Sequence, residues 1–117
     1  MPRFVVLHHD WPQPHFDLLL EHQGVLKSWR LPPDFDPQVP ATATSHFDHR
    51  LFYLDYEGPL SGDRGTVSRW DGGELHWLIG GPDRYVVELS GEKLHGTFEL
   101  TRREGDQWRF GETSPPE

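Results

Sequence analysis

Glycine and proline break this chain too often to leave room for long helices. Twelve glycines and eleven prolines are spread along 117 residues. Proline lacks an N–H and has a fixed φ, and glycine accepts turn conformations that other residues avoid. Between the breaks lie short runs that read as strands: Phe4 to His9, His15 to Glu21, Val25 to Leu31, His49 to Glu57, Thr66 to Trp70, Glu74 to Ile79, Tyr85 to Ser90 and Gly96 to Arg102. Trp108 to Phe110 adds a short last one. Asp71-Gly72-Gly73 has the chemistry of a hairpin turn, Leu31 to Pro40 reads as an irregular loop, and Thr42 to Asp48 is ambiguous. Seven to nine short strands at this spacing predict an all-β barrel or sandwich. Residues 1–112 form a single domain in this reading, and 113–117 form a flexible tail.

Composition narrows the function. With no cysteine, disulfides, thiolate metal sites and a cysteine nucleophile are excluded. No run is long enough to span a membrane, and the apolar run Phe4 to Leu7 is too short for a secretory signal. A cytoplasmic monomer without membrane contact is expected. The formal charge is −8, from 19 acidic and 11 basic residues, which argues against holding nucleic acid mainly by nonspecific backbone neutralisation. A local cationic pocket for one terminal phosphate remains compatible with that charge. Nine of the basic residues are arginines, suited to bidentate phosphate contacts.

The segment His8-His9-Asp10-Trp11-Pro12-Gln13-Pro14-His15-Phe16-Asp17 carries the most chemistry. Two imidazoles and a carboxylate from His9, His15 and Asp17 make a common ligand set for a divalent metal and leave positions open for water and substrate. On a strand His15 and Asp17 share one face, with Leu19 and Glu21, while Phe16, Leu18 and Leu20 take the other. Glu21 is thereby a candidate to orient a metal ligand. Eight histidines make chance pairings common, so His-x-Asp alone is a weak signal. His49 and Tyr53 form a second pair that a barrel interior could bring to the first. His49 is suited to acid, base or ligand work and Tyr53 to donating to a phosphate oxygen. Their spacing fits equally a surface histidine and a core tyrosine. His8, His22, His46, His76 and His95 read as solvated or structural, and Gly62-Asp63-Arg64-Gly65 as a plain turn.

Longer runs carry a resemblance. Phe4-Val5-Val6, His9-Asp10, His15-Phe16-Asp17, Gly24-Val25-Leu26-Lys27-Ser28-Trp29, Asp48-His49, Tyr53-Leu54-Asp55-Tyr56-Glu57-Gly58, Trp70-Asp71-Gly72-Gly73 and Leu89-Ser90-Gly91-Glu92-Lys93-Leu94-His95-Gly96 stand in the order found in the 3′-phosphoesterase domain of bacterial ligase D. The chain resembles that family over nearly its whole length. The resemblance implies a compact closed or nearly closed β-barrel with little helix and an active site inside it. It implies trimming of nucleic-acid 3′ ends in break repair, removing a terminal ribonucleoside and then the 3′-phosphate. It implies a divalent metal, manganese first with zinc or cobalt as alternatives, on His9, His15 and Asp17, and phosphate contacts from His49 and Tyr53. The partners it implies are a nucleic-acid 3′ end and repair ligases or polymerases.

The chain also departs from the family. Leu7 stands where the family has glutamine, Leu19 where it has arginine and Pro33 where it has lysine. A further family arginine has no clear counterpart near Pro40 to Ala41. Arg30, Arg50 and Arg64 are the candidates to supply phosphate-binding charge instead. The leading expectation is a metal-dependent phosphoesterase with a depleted phosphate shell. A catalytically weak or inactive module that binds a nucleic-acid end, a metal or a protein is the alternative. A non-haem iron oxygenase using His-x-Asp with His76 or His95 is a third reading, disfavoured by the short chain.

Overall fold

The computed structural model describes all 117 residues. Nine strands follow one another: β1 (Arg3–His9), β2 (His15–His22), β3 (Val25–Leu31), β4 (Ala41–His49), β5 (Gly58–Pro59), β6 (Thr66–Gly80), β7 (Arg84–Ser90), β8 (His95–Glu104) and β9 (Gln107–Glu112). Around the sheet the order is β1-β2-β3-β4-β9-β8-β7-β6, and β6 returns to pair with β1. The result is a closed, antiparallel, eight-stranded barrel. Closure removes the unpaired edges that an open sheet would expose. The two-residue β5 rides on β6 outside the ring.

Alternation along each strand sorts side chains between two hydrophobic layers. Phe4, Val6, Phe16, Leu18, Leu20, Trp29, Leu31, Ala43, Leu75, Val87, Leu89, Phe98, Leu100, Trp108 and Phe110 fill the interior with Leu94. Every strand of the ring contributes to that set. Each such large side chain fully removed from water is worth about 1.5–3 kcal/mol before the ordering cost. The opposite faces of β1, β2, β3 and β6 carry a smaller layer of Val5, Leu7, Leu19, Leu26 and Val67, covered by Leu54. This second layer lies outside the barrel wall, beneath the segment that joins β4 to β6.

Three local expectations are corrected. His49 to Glu57 is not a strand: His49 ends β4, and Leu51–Leu54 forms a single 3-10 turn that places Leu54 on the wall. The ambiguous stretch before it is β4 itself. Asp71-Gly72-Gly73 does not turn either, because β6 runs through it for 15 residues. The buried Asp71 carboxylate instead accepts the backbone N–H groups of Glu92, Lys93 and Leu94 at 2.9, 3.0 and 2.7 Å, closing the β7–β8 turn. A side chain on Gly73 would collide with the Ser90 backbone, so the glycine serves close packing. Residues 113–117 lie outside the strands, with Thr113 N–H donating to the Thr97 carbonyl.

Candidate metal centre and the pocket around it

His9 ends β1 and His15 begins β2, and the two are directly paired across the hairpin. Asp17 follows two residues on, on the same face. His9 Nδ1 lies 3.3 Å from one Asp17 oxygen, and His15 Nε2 lies 3.2 Å from the other. All three residues are buried. Both rings are oriented by backbone carbonyls. His9 Nε2–H donates to Arg64 O at 2.8 Å, and His15 Nδ1–H donates to Gln13 O at 2.8 Å. Carbonyls only accept, so each ring keeps its lone pair on the nitrogen that faces Asp17. Fixing the tautomer of a ligating histidine through its other nitrogen is a common feature of metal sites. His15 Nε2 is buried yet makes no aligned hydrogen bond. Two imidazole nitrogens and a carboxylate, converging with one nitrogen unsatisfied, fit a divalent cation.

Electrostatics agree with an ionised carboxylate. Burial alone would raise the Asp17 carboxyl. The neighbouring His15, His9 and Arg30 overcome that and hold it below the usual carboxylate value.

His9 and Asp17 line a cavity of about 360 Å³ on the outside of the wall. This corrects the expectation of a site inside the barrel. The interior is filled by the larger hydrophobic layer, whereas His9 and Asp17 share their face with Leu7, Leu19 and Val67. His49 and Tyr53 do reach the same cavity, from the end of β4 and from the 3-10 turn. His49 Nδ1 donates to Phe47 O at 3.0 Å, which leaves Nε2 free. The Tyr53 ring meets His49 edge-on at 5.8 Å.

The three candidate arginines all line this cavity, in different states. Arg30 pairs across strands with Asp17, and its Nε is buried without a partner. Arg50 lies over the Tyr53 ring at 5.8 Å. The Arg64 guanidinium is engaged by Ser61, at 2.7 and 3.0 Å, while the Arg64 carbonyl holds His9. Gly65 keeps this loop close: its φ is +82°, and a side chain there would strike Asp10 and Trp11. Glu21 does not belong to the site. It sits at the far end of β2, about 13 Å along the strand from Asp17, and accepts the Arg3 N–H at 2.9 Å.

His46, Phe47 and Trp11 also line the cavity, and no motif in the sequence marks them. Burial, and then Arg30, hold the His46 imidazole below its ordinary value. His46 and His49 are three apart, which on a regular strand would face them oppositely. Between the pairs Ser28↔His46 and Leu26↔His49, β4 holds one residue more than β3. That bulge brings both histidines to the outer face. Leu7 and Leu19 are fully packed in the cavity floor with Val67, so the floor is apolar.

Residues 7–102 match the model of the DNA ligase D 3′-phosphoesterase domain. The multifunctional non-homologous end joining protein LigD of Pseudomonas aeruginosa is 38% identical over 112 residues, covering 86% of this chain and 13% of that protein. The protein of the same name from Mycobacterium bovis is 36% identical over 115 residues, covering 90% of this chain and 15% of its own length. The Mycolicibacterium smegmatis protein is 30% identical over 123 residues, covering 91% and 16%. The chain thus spans only a small part of each of these relatives.

Proposed function

This chain belongs to the DNA ligase D 3′-phosphoesterase domain family, and from that premise we propose that it is a metal-dependent phosphoesterase acting on nucleic-acid 3′ ends in DNA repair. The observation that carries this reading is the convergence of His9 Nδ1, His15 Nε2 and Asp17, with both rings aimed by backbone carbonyls. These three residues would hold the ion, with manganese preferred and zinc or cobalt as alternatives. A bound divalent ion supplies polarisation of a phosphoryl oxygen and a more acidic water.

The remaining steps fall to the protein. Asp17 stays ionised beside the two imidazoles and contributes negative charge to the ligand set. His49, held through Nδ1, presents Nε2 to the cavity, where it is placed to donate to a phosphate oxygen or protonate a leaving oxygen. Tyr53 sets the edge of the His49 ring and offers a hydroxyl to the same phosphate. Arg30 adds fixed positive charge opposite Asp17. Leu7, Leu19 and Val67 keep water from the floor beneath these groups.

The test is hydrolysis of 3′-phosphate and 3′-ribonucleoside oligonucleotides with Mn²⁺. Wild type should release the terminal group, and His15→Ala and His49→Ala should lose about a hundredfold or more, the scale of a missing acid–base group. Equal Mn²⁺ binding by wild type and His15→Ala in titration calorimetry would sink the assignment of the ion. The apolar floor at Leu7 and Leu19 favours one second reading, a module that binds a nucleic-acid end for a repair ligase or polymerase without cleaving it. Tight binding of a 3′-phosphate oligonucleotide with no turnover in any metal would select it.

A further inference from the structure

Arg30 faces more than the metal-site cavity. It also lines a second cavity of about 470 Å³, together with His15. Thr42 and Thr44 line that second cavity, and Thr42 continues into a third, of about 500 Å³, with Arg103 and Arg109. The three cavities follow one another across the outer face of the wall. The strand pairings show the same row: Asp17 is opposite Arg30, Arg30 opposite Thr44, and Thr42 opposite Arg109. At about 4.8 Å between strands, β9 lies roughly 14 Å from β2.

The charge of this row is opposite to that of the chain. The protein carries 19 acidic residues against 11 basic ones, yet neither the second nor the third cavity is lined by an Asp or Glu. The arginine–carboxylate pairs of the molecule are Arg3–Asp55, Arg84–Glu99 and Arg102–Asp83. Arg30, Arg103 and Arg109 enter none of them. Asp106, at the nearby β8–β9 turn, is engaged by the Gln107 amide at 3.2 Å. Thr42 also borders a fourth cavity that Asp34 and Asp36 line, and neither of these lines the second or the third. Unpaired guanidiniums and threonine hydroxyls in line are what a phosphodiester backbone requires.

We propose that the outer face of β3, β4 and β9, from Arg30 past Thr44 and Thr42 to Arg109 and Arg103, is the track for the backbone of the single strand whose 3′ end reaches the metal centre. This rests on the 3′-end reading above and adds to it the path of the upstream nucleotides. Arg30 grips the phosphate nearest the end, and Arg109 and Arg103 meet phosphates further upstream. A chain with strong net negative charge thereby engages nucleic acid through one local stripe.

The test is fluorescence anisotropy with single-stranded 3′-phosphate oligonucleotides of increasing length, against a nucleoside 3′-phosphate, in EDTA and again in Mn²⁺. Wild-type affinity should rise about tenfold or more from the nucleoside 3′-phosphate to the longer strands. Arg103→Glu with Arg109→Glu should abolish that gain and leave nucleoside 3′-phosphate binding unchanged. The milder Arg103→Gln with Arg109→Gln should lower the salt slope by about 1.4, at about 0.7 per lost cation. Thr42→Glu, which places a carboxylate mid-track, should act like the double reversal. A length gain that survives the double reversal overturns the track. Turnover or binding of the nucleoside 3′-phosphate with no length gain in wild type overturns the track alone. No binding and no turnover at any length overturns the 3′-end reading with it.

Discussion

The barrel has two hydrophobic layers on the same strands, and they do different work. The inner layer draws sixteen buried residues from all around the ring, with paired rings such as Phe98 and Phe110 stacked at 5.3 Å. The outer layer has six, from four strands and the 3-10 turn, and a polar rim surrounds it. The inner layer is enclosed by the closed ring of strands and filled by its own side chains. The outer one is covered by a single segment held to the wall by Leu54, by the Arg3–Asp55 pair at 2.6 Å and by Glu57, which accepts the Arg69 N–H at 2.8 Å. The larger hydrophobic layer lies inside the wall and the candidate site outside it, where the covering segment positions Tyr53.

The comparison can be broken most sharply in the inner layer. Phe98→Ala should cost about 3–5 kcal/mol, measured by urea unfolding, and should affect metal binding only through loss of the folded fraction. Leu54→Ala should cost about 2 kcal/mol, the low end for a buried leucine, and its main effect should be local. Amide exchange should quicken in 50–65 while β7 to β9 stay protected; uniform quickening would mean the layers are one unit. Gly65→Ala should cost roughly 1–2 kcal/mol for the left-handed backbone. It should also weaken Mn²⁺ binding about tenfold, because Asp10, Trp11 and the Arg64 carbonyl that holds His9 all move.

The smallest effect concerns pH. The hydrogen bond from Arg3 keeps the Asp55 carboxyl below its ordinary value. Its contribution is therefore present above the unfolded carboxylate pKa near 3.9 and fades as pH falls through that region. Asp55→Asn should remove this pH dependence from the exchange of segment 50–65 and leave global unfolding nearly unchanged. Since the pair is exposed, raised salt should mimic the substitution.

Much of this was legible in the chain. The alternation at His15 to Leu20 separates the two layers, and the three candidate metal ligands lie within one hairpin. What local pattern could not carry was long-range. Nothing near Val6 says that it pairs with Asp71, and that pairing decides which face is enclosed. Asp71-Gly72-Gly73 has turn chemistry, but its carboxylate is used by a turn twenty residues on. Aromatic enrichment in 49–57 resembles a strand, while Leu54 and Tyr53 in fact pack from a 3-10 turn onto the second layer. Glu21 has the right face and the wrong distance. His46 was hidden because a spacing of three reads as opposite facing to His49, and the extra residue that brings His49 back to the same face shows only in the pairing with β3.

That extra residue has a consequence for inheritance. What it contributes is a count. Asp48 or Phe47 can change identity and the spacing from His46 to His49 persists, whereas loss of either shortens the spacing by one. With the spacing cut to two, β4 would match β3 residue for residue, and both histidines would keep the outer face opposite Ser28 and Leu26. Losing one residue here should therefore straighten β4 and leave both histidines on the cavity side, so their shared facing is a property of the register with β3 and not of one fixed spacing.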